Sequence, residues 1–284
     1  MDSSASDDRG ELEIRAIPAR HPWRWAGAAL VVLLAAMLVR SFLTNPRYEW
    51  DVVFSWLLAR TIIRGLLLTL ALTAVSMLAG ILLGVLLAVM RGSPNRLLSG
   101  AAGSYIWFFR GTPLLVQLVF WFNLSALYPR IGLGIPFGGP EWASLDANAL
   151  ISPMTAAFLG LALNEAAYLA EIVRAGIVSV PAGQVQAAAA LGLTRRKTMR
   201  RIVLPQAMRV IVPPTGNQTI SMLKTSSLVS VLAIPELLYS AQIVYSRTFQ
   251  TIPLLIVVSI WYLLLTSALT AVQGRIERRY GRYA

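Results

Sequence analysis

Two small groups of polar side chains interrupt long hydrocarbon stretches of this sequence. Asn164, Glu165 and Tyr168 lie in the apolar run from Ser152 to about Val173, and Asn217, Gln218, Ser221, Lys224 and Thr225 in the run from about Val210 to Ile234. A charged group in hydrocarbon is expensive, so each is expected to face a cavity or a partner. Asn217, Ser221 and Lys224 recur at i, i+4 and i+7, the spacing of one helical face, with Gln218 and Thr225 beside it. At 1.5 Å per residue, Glu165 lies roughly 10 Å in from Ile172, and Asn217 about 12 Å in from Arg209. The two depths agree. Lys224, or backbone N–H groups freed by Pro213, Pro214 and Gly216, can meet a carboxylate. Glu165 and the Asn217 side-chain oxygen can meet an ammonium or guanidinium. The groups therefore suit two facing walls around a small zwitterion. In the competing account Glu165 pairs with structural groups and Asn217 staples helices together, and spacing alone leaves both standing. By the same count Lys224 is about 22 Å in, so pairing it directly with Glu165 requires tilt or unwinding.

Bond-making chemistry has little to work with. The sequence contains no Cys and one His, His21, which removes thiolate metal sites, Cys nucleophiles, multi-His metal centres and Ser-His-Asp triads together. No G-x-x-x-x-G-K-[ST] phosphate loop is present. No cofactor or metal is expected, and any ATP consumed in this protein's work must be hydrolysed by another chain.

The elements that position these groups follow from composition. Of 284 residues, 56% are hydrophobic and 13% charged, with a mean hydropathy of +0.64. An ordinary globular domain is about 25% charged, so polar atoms are too few to cover a water-soluble body. A bilayer is the implied solvent. Trp25 to Leu43 is apolar apart from Arg40, and Gly65 to Met90 is uncharged over 26 residues. Each can cross a hydrocarbon core, which takes roughly 20 helical residues. Pro113 to Tyr128, Ser152 to about Val173, about Val210 to Ile234, and Ile252 to Val272 bring the expected spans to six. The first run is too long for the h-region of a signal peptide and reads as a retained helix.

The net charge of +12 invites a nucleic-acid reading, but the basic residues sit in short connections. Inner loops near span ends carry excess Lys and Arg. Placing Met1 to Arg24, Arg91 to Arg110, Glu165 to Arg209 and Gly274 to Ala284 inside puts 18 of the 25 basic residues there. Pro129 to Ile151 then falls outside, and both termini are cytoplasmic. Residues 1–24 read as a disordered leader and 274–284 as a basic tail. Ser76, Gly80 and Gly84 form a small-xxx-small stripe suited to close helix packing in lipid. Glu171 and Arg174, at i, i+3, read as a structural pair.

The most informative connection is Ser179 to Pro205. Pro181 suits a first helical turn, the Ala-rich stretch Gln184 to Leu191 continues it, and Gly192 can take the left-handed conformation that stops it. Thr194 can cap a second helix expected to end near Pro205. Met199, Ile202 and Val203 share one face of that helix, and Arg195, Arg196, Lys197, Arg200 and Arg201 cover much of the rest. The pair is too short to bury a core of its own. A docking peg, a solvated topology anchor and a DNA-reading helix-turn-helix are the three readings; flanking spans would pin the last against the membrane, so no nucleic-acid partner is expected.

On these residues the sequence resembles the inner-membrane permease subunits of ABC importers, specifically those for polar amino acids. Their cytoplasmic signature is E-A-A, three residues, G, nine residues, I-x-L-P, and Gln186, Ala187, Ala188, Gly192, Ile202, Leu204 and Pro205 fall on it with Gln for Glu. Glu165-Ala166-Ala167 is a decoy, because no Gly follows at the required interval. Arg110-Gly-Thr-Pro-Leu-Leu-Val-Gln117, Ala167-Tyr-Leu-Ala-Glu-Ile172, Leu204-Pro-Gln206, Gly216-Asn-Gln-Thr-Ile220 and Leu223-Lys-Thr-Ser-Ser-Leu228 extend the match over about Ile62 to Gln273.

The resemblance implies an all-α, multi-span helical bundle of the MetI-like binding-protein-dependent type. A five-helix permease domain over 62–273 would carry the coupling segment 179–205, with 25–43 as an accessory transmembrane helix. It also implies a non-catalytic subunit in the bacterial inner membrane, surrounded by membrane lipid. The expected partners are ATP-binding cassette ATPases inside, a second permease chain (a homodimer or a sister subunit), and an extracytoplasmic solute-binding protein. The signature would form a coupling helix seated in a groove of the ATPase, and the substrate would be an amino acid. Without the resemblance, an ion-gradient-driven carrier with Glu165 as its proton site remains the rival.

Overall fold

The computed structural model describes residues 22–134 and 141–281. Most of the leader 1–24, with His21, and the last three residues of the basic tail lie outside the described residues. The chain divides into two compact units, Met1–Tyr48 and Glu49–Ala284. The first contributes α1 (Pro22–Thr44), an uninterrupted apolar helix, and a short 3-10 turn whose Tyr48 ring meets Phe42 edge-on.

In the second unit, α2 (Trp50–Leu57) leads into α3 (Arg60–Arg91), α4 (Arg96–Gly111), α5 (Leu114–Phe122) and the short α6 (Leu124–Leu127). A two-stranded antiparallel hairpin follows, β1 (Arg130–Gly134) with β2 (Glu141–Asp146), then α7 (Ala147–Leu150) and α8 (Pro153–Val178). The coupling segment supplies α9 (Ala182–Ala190), α10 (Arg195–Thr198) and a π-helical turn over Met199–Val203. After it come α11 (Leu204–Thr225), a 3-10 segment (Ser226–Leu232), α12 (Leu237–Thr248) and α13 (Thr251–Gly281).

Among the described residues, four helices are long and apolar enough to cross a bilayer: α1, α3, α8 and α13. Counting each bent pair as one span brings the number to six. One pair is α4 with α5, bent by 104°; the other is Arg195–Leu232 with α12, bent by 46°.

Helix α3 against α8 is the most extensive packing in the chain. The small-residue stripe lies in it. A Cβ added to Gly80 would stand 3.0 Å from Glu165 Cγ, and one on Gly84 would stand 2.8 Å from Leu169 Cβ and 3.1 Å from the Ala166 carbonyl oxygen and the Ala170 nitrogen. Ser76 is fully buried on the same line. Close approach without side chains between the helices replaces, in lipid, the hydrophobic drive that water would supply. Gly176 makes the equivalent room for Ile211 of α11, and Gly160 for Leu118 of α5. A second core gathers Val53, Ile62, Leu237 and Leu254 from α2, α3, α12 and α13, and Trp261 Nε1 donates to the Leu57 carbonyl at 2.8 Å.

Four expectations are corrected. Pro113 to Tyr128 is not a straight span: α5 has nine residues and turns sharply from α4, which occupies much of the stretch expected to be a connection. The helix after Thr194 does not end near Pro205, because the π turn Met199–Val203 absorbs the ring and the missing N–H and α11 continues. Nor does the backbone break at Pro213, Pro214 and Gly216. Both prolines sit inside α11. Gln273 Nε2 of α13 donates to the Pro213 carbonyl at 2.8 Å, tying α13 to this stretch of α11. The departure from α-helix comes after Thr225, in the 3-10 segment and at Ala233, whose φ is 56°. Residues 274–281, expected as a tail, continue α13.

Candidate functional site: a polar helix face and a cytoplasmic turn

Ser152 begins α8 by accepting from the Thr155 N–H, with Pro153 at the first helical position, where its missing N–H is not needed. That helix carries Asn164, Glu165 and Tyr168 to three different partners. Glu165 is 5% exposed, lodged opposite Gly80, and accepts from Gln218 Nε2 at 3.1 and 3.3 Å. The contact between α8 and α11 agrees with the equal depths counted from the sequence. Glu165 is thus held by Gln218 rather than Lys224.

Asn164 Nδ2 donates to the Phe109 carbonyl at 3.0 Å and to Gln117 Oε1 at 3.2 Å. Gln117, 4% exposed, in turn donates to the carbonyls of Phe109 and Thr112 and to Thr112 Oγ1. These two amides satisfy the backbone where α4 turns into α5. That is a physical reason for the Arg110 to Gln117 motif which spacing did not disclose. Tyr168 lies under the Arg110 guanidinium, 5.4 Å from the ring centroid, a cation–π arrangement. Glu171 and Arg174 form the expected pair at 2.8 Å.

Asn217, Ser221 and Lys224 line one exposed face of α11. Thr225 is half-buried, its hydroxyl donating to the Ser221 carbonyl. The N–H groups expected from an earlier break are not freed, because α11 runs through the prolines, and the carbonyls at its end are engaged: Ser221, Leu223 and Lys224 accept from the hydroxyls of Thr225, Ser226 and Ser227.

Sequence reasoning missed Glu236. It is fully buried and caps α12, accepting from the N–H of Leu238 at 3.0 Å and of Tyr239 at 2.8 Å. Thr69 and Tyr262 hydroxyls reach the same carboxylate at 3.4 and 3.3 Å, so it ties α3, α12 and α13 together. The sequence signal was a Pro-Glu pair just ahead of an apolar run, a helix-start pattern.

On the coupling side, Gly192 has φ of 72°, and the Leu193 N–H bonds the Ala188 carbonyl at 3.0 Å, closing α9 with the expected left-handed turn. Thr194 caps α10 by accepting from Lys197. Gln186 and Ala187 are exposed, while Ala188 is buried. Leu191 stands 82% exposed at the turn, Ile202 is half-buried, and Leu204 and Pro205 are exposed. Beneath them Val180, Val203, Ala207 and Ile211 pack into one cluster. The turn is therefore anchored from below with its outer surface open.

A helical membrane bundle with an outward-facing left-handed turn and an exposed polar helix face fits a translocation subunit. The family described as "Binding-protein-dependent transport system inner membrane component" matches residues 80–282, and the chain belongs to it. It is 49% identical to the arginine transport system permease protein ArgU of Corynebacterium glutamicum, over 94% of this chain and 83% of that protein. A match of that extent necessarily includes Trp25 to Leu43. It is 36% identical to the probable amino-acid ABC transporter permease protein YckA of Bacillus subtilis, over 83% of this chain and 97% of that one. A solved structure described as an amino acid ABC transporter with histidines superposes with a TM-score of 0.66 at 36% identity, covering 77% of this chain and 94% of its own. The MetNI methionine ABC transporter in an inward-facing conformation, at 21% identity and a TM-score of 0.60, shares the fold over 78% of this chain and 96% of its own. The chain is an ABC importer permease subunit, a multi-pass inner-membrane protein that works with a separate ATPase. The ion-gradient reading finds no support among these relatives.

Proposed function

We propose that this chain forms half of a transmembrane pathway for a polar amino acid, with arginine the first substrate to test. The observation that carries the reading is the exposed line Asn217, Ser221 and Lys224 on a helix otherwise built for lipid or protein contact. Such groups do not face hydrocarbon unaccompanied, so a second permease chain, a homodimer mate or sister subunit, closes the path over them. Glu165 with Gln218, and Thr225 beside Lys224, complete the polar lining; Asn164 and Tyr168 support it from the α4–α5 bend. The 49% identity to an arginine transport permease supports the substrate class. So does the Glu165 carboxylate, whose charge suits a guanidinium.

On this reading α1 is an accessory span outside the five-helix core, and both termini lie in the cytoplasm, as the basic connections imply. Residues 62–273 make the permease domain and 179–205 its coupling segment. Gln186, Ala187, Ala188 and Gly192 seat in the ATPase, braced by Ile202, Leu204 and Pro205. A solute-binding protein delivers substrate from the opposite side. The subunit makes and breaks no bonds.

The absence of Cys makes a direct test simple. Ser221→Cys and Lys224→Cys in the assembled transporter should react with a charged methanethiosulfonate, and arginine should slow the reaction. Leu223→Cys, at a fully buried position, should stay unreactive. Labelling of the first two that is absent, or indifferent to every amino acid offered, would discard the pathway assignment.

A further inference from the structure

The face of α11 opposite the polar line, bearing Met208, Val212, Thr215 and Thr219, floors an apolar groove of about 610 Å³. Helices α3, α8 and α13 supply its other walls, among them Val85, Val173 and Ile276. Its few polar groups are already engaged. Thr215 and Thr219 hydroxyls donate to carbonyls one turn back, and the Gln273 amide donates to the Pro213 carbonyl and to Glu277. The groove therefore offers almost no hydrogen bonding to a water-soluble ligand.

Val212 and Ile276 also wall a second cavity, of about 620 Å³, into which Arg209, Arg279 and Tyr280 contribute. Two guanidinium groups and a phenol line that second cavity, which shares Val212 and Ile276 with the apolar groove. Guanidinium forks match phosphate oxygens in geometry and charge. Basic pockets between membrane helices on the cytoplasmic side take anionic lipid head groups. The carboxylate of Glu277, two residues before Arg279, accepts from the Gln273 amide at 2.9 Å.

We propose that these two cavities form one site for an anionic membrane phospholipid, its phosphate between Arg209 and Arg279 and an acyl chain along the α11 groove. Met199 and Leu204, at the foot of the coupling segment, line the same groove, so the lipid would brace the base from which that segment projects.

The test uses the full-length chain in its assembled transporter, delipidated in detergent and offered equal phosphatidylglycerol and phosphatidylcholine of matched acyl chains. Bound lipid is read by native mass spectrometry. The wild type should retain phosphatidylglycerol over phosphatidylcholine by about tenfold, equivalent to about 1.4 kcal/mol. The double variant Arg209→Gln/Arg279→Gln should bring that ratio to near unity, and Val212→Trp, which fills the shared wall, should lose lipid altogether. If the double variant fails to assemble, Arg279→Gln alone, on the last exposed turns of α13, must still lower the ratio. An unchanged ratio in these variants overturns the proposal. So does equal retention of the two lipids by the wild type, or displacement of phosphatidylglycerol by millimolar inorganic phosphate, which would mark a site for the free anion.

Discussion

Gly192 gives the sharpest test of the coupling assignment, because its backbone and its surroundings make separate demands. Its φ of 72° lies in the left-handed region, and a Cβ built there meets no atom within 4 Å. Replacement by Ala therefore costs backbone energy alone, about 1–2 kcal/mol. Asn, which tolerates the left-handed region, should cost less. Proline locks φ near −65° and removes an N–H, and that N–H bonds the Ala189 carbonyl at 2.9 Å, so the turn cannot form at all. If the ATPase grips only the native turn, apparent affinity falls with the population of that turn. The Ala variant should then weaken ATPase binding by about 5–30-fold. Membrane insertion should be untouched, because among the described residues nothing lies within 4 Å of a Cβ built at Gly192. The assay is ATP hydrolysis and substrate uptake in proteoliposomes as ATPase subunit is titrated in, comparing the wild type with Gly192→Asn, Gly192→Ala and Gly192→Pro, impaired in that order. Normal uptake by the Gly192→Pro chain would refute the reasoning, as would Ala and Asn variants equally impaired.

Three further outcomes follow from the geometry. Gly84→Ala should lower the thermal midpoint of the purified assembly, since its Cβ meets backbone as well as Leu169 and overpacking costs about 1–3 kcal/mol; Gly183→Ala, with open space around it, is the control and should not. Glu236→Ala should destabilise by about 0.5–2 kcal/mol through loss of the α12 cap, and Glu236→Gln, which keeps an acceptor, should recover part of that midpoint. Glu165→Gln should reduce arginine uptake or change the preference among amino acids in a competition series; an unaltered preference and rate would make Glu165 a packing residue.

Local signals were legible where one residue decides its own conformation. Gly192 and Thr194 took their expected roles because a positive φ and a hydroxyl cap need no distant partner. The Ser76, Gly80 and Gly84 stripe identified an interface, though not its partner α8. What the sequence concealed depended on contacts across the bundle. Pro213 and Pro214 stay within α11, and Gln273, sixty residues on, ties α13 to that stretch by donating to the Pro213 carbonyl. The α4–α5 bend is held by Gln117 and Asn164 together, and Asn164 alone looked like a ligand. Helix α12 escaped notice because its exposed polar positions, such as Gln242, Ser246 and Arg247, disguise a face buried through Leu237, Ala241 and Val244.

The correction at the prolines strengthens the coupling argument. A break before Asn217 would have separated the cytoplasmic turn from the polar line by a flexible joint. Instead the chain is helical without interruption from Arg195 to Thr225, absorbing Pro205 in a π turn and Pro213 and Pro214 in α11. That length is roughly 45 Å at 1.5 Å per residue, enough to run from the coupling segment past Gln218, Ser221 and Lys224. On the proposed assignment, a displacement imposed at Gly192 need not pass through a loop to reach Glu165, because Gln218 holds that carboxylate from the same helix. Past the π turn, α-helix gives way only after Thr225, where the 3-10 segment and the Glu236 anchor begin. The moving rod would thus end where α3, α12 and α13 are tied together, with the polar line just short of that fixed point.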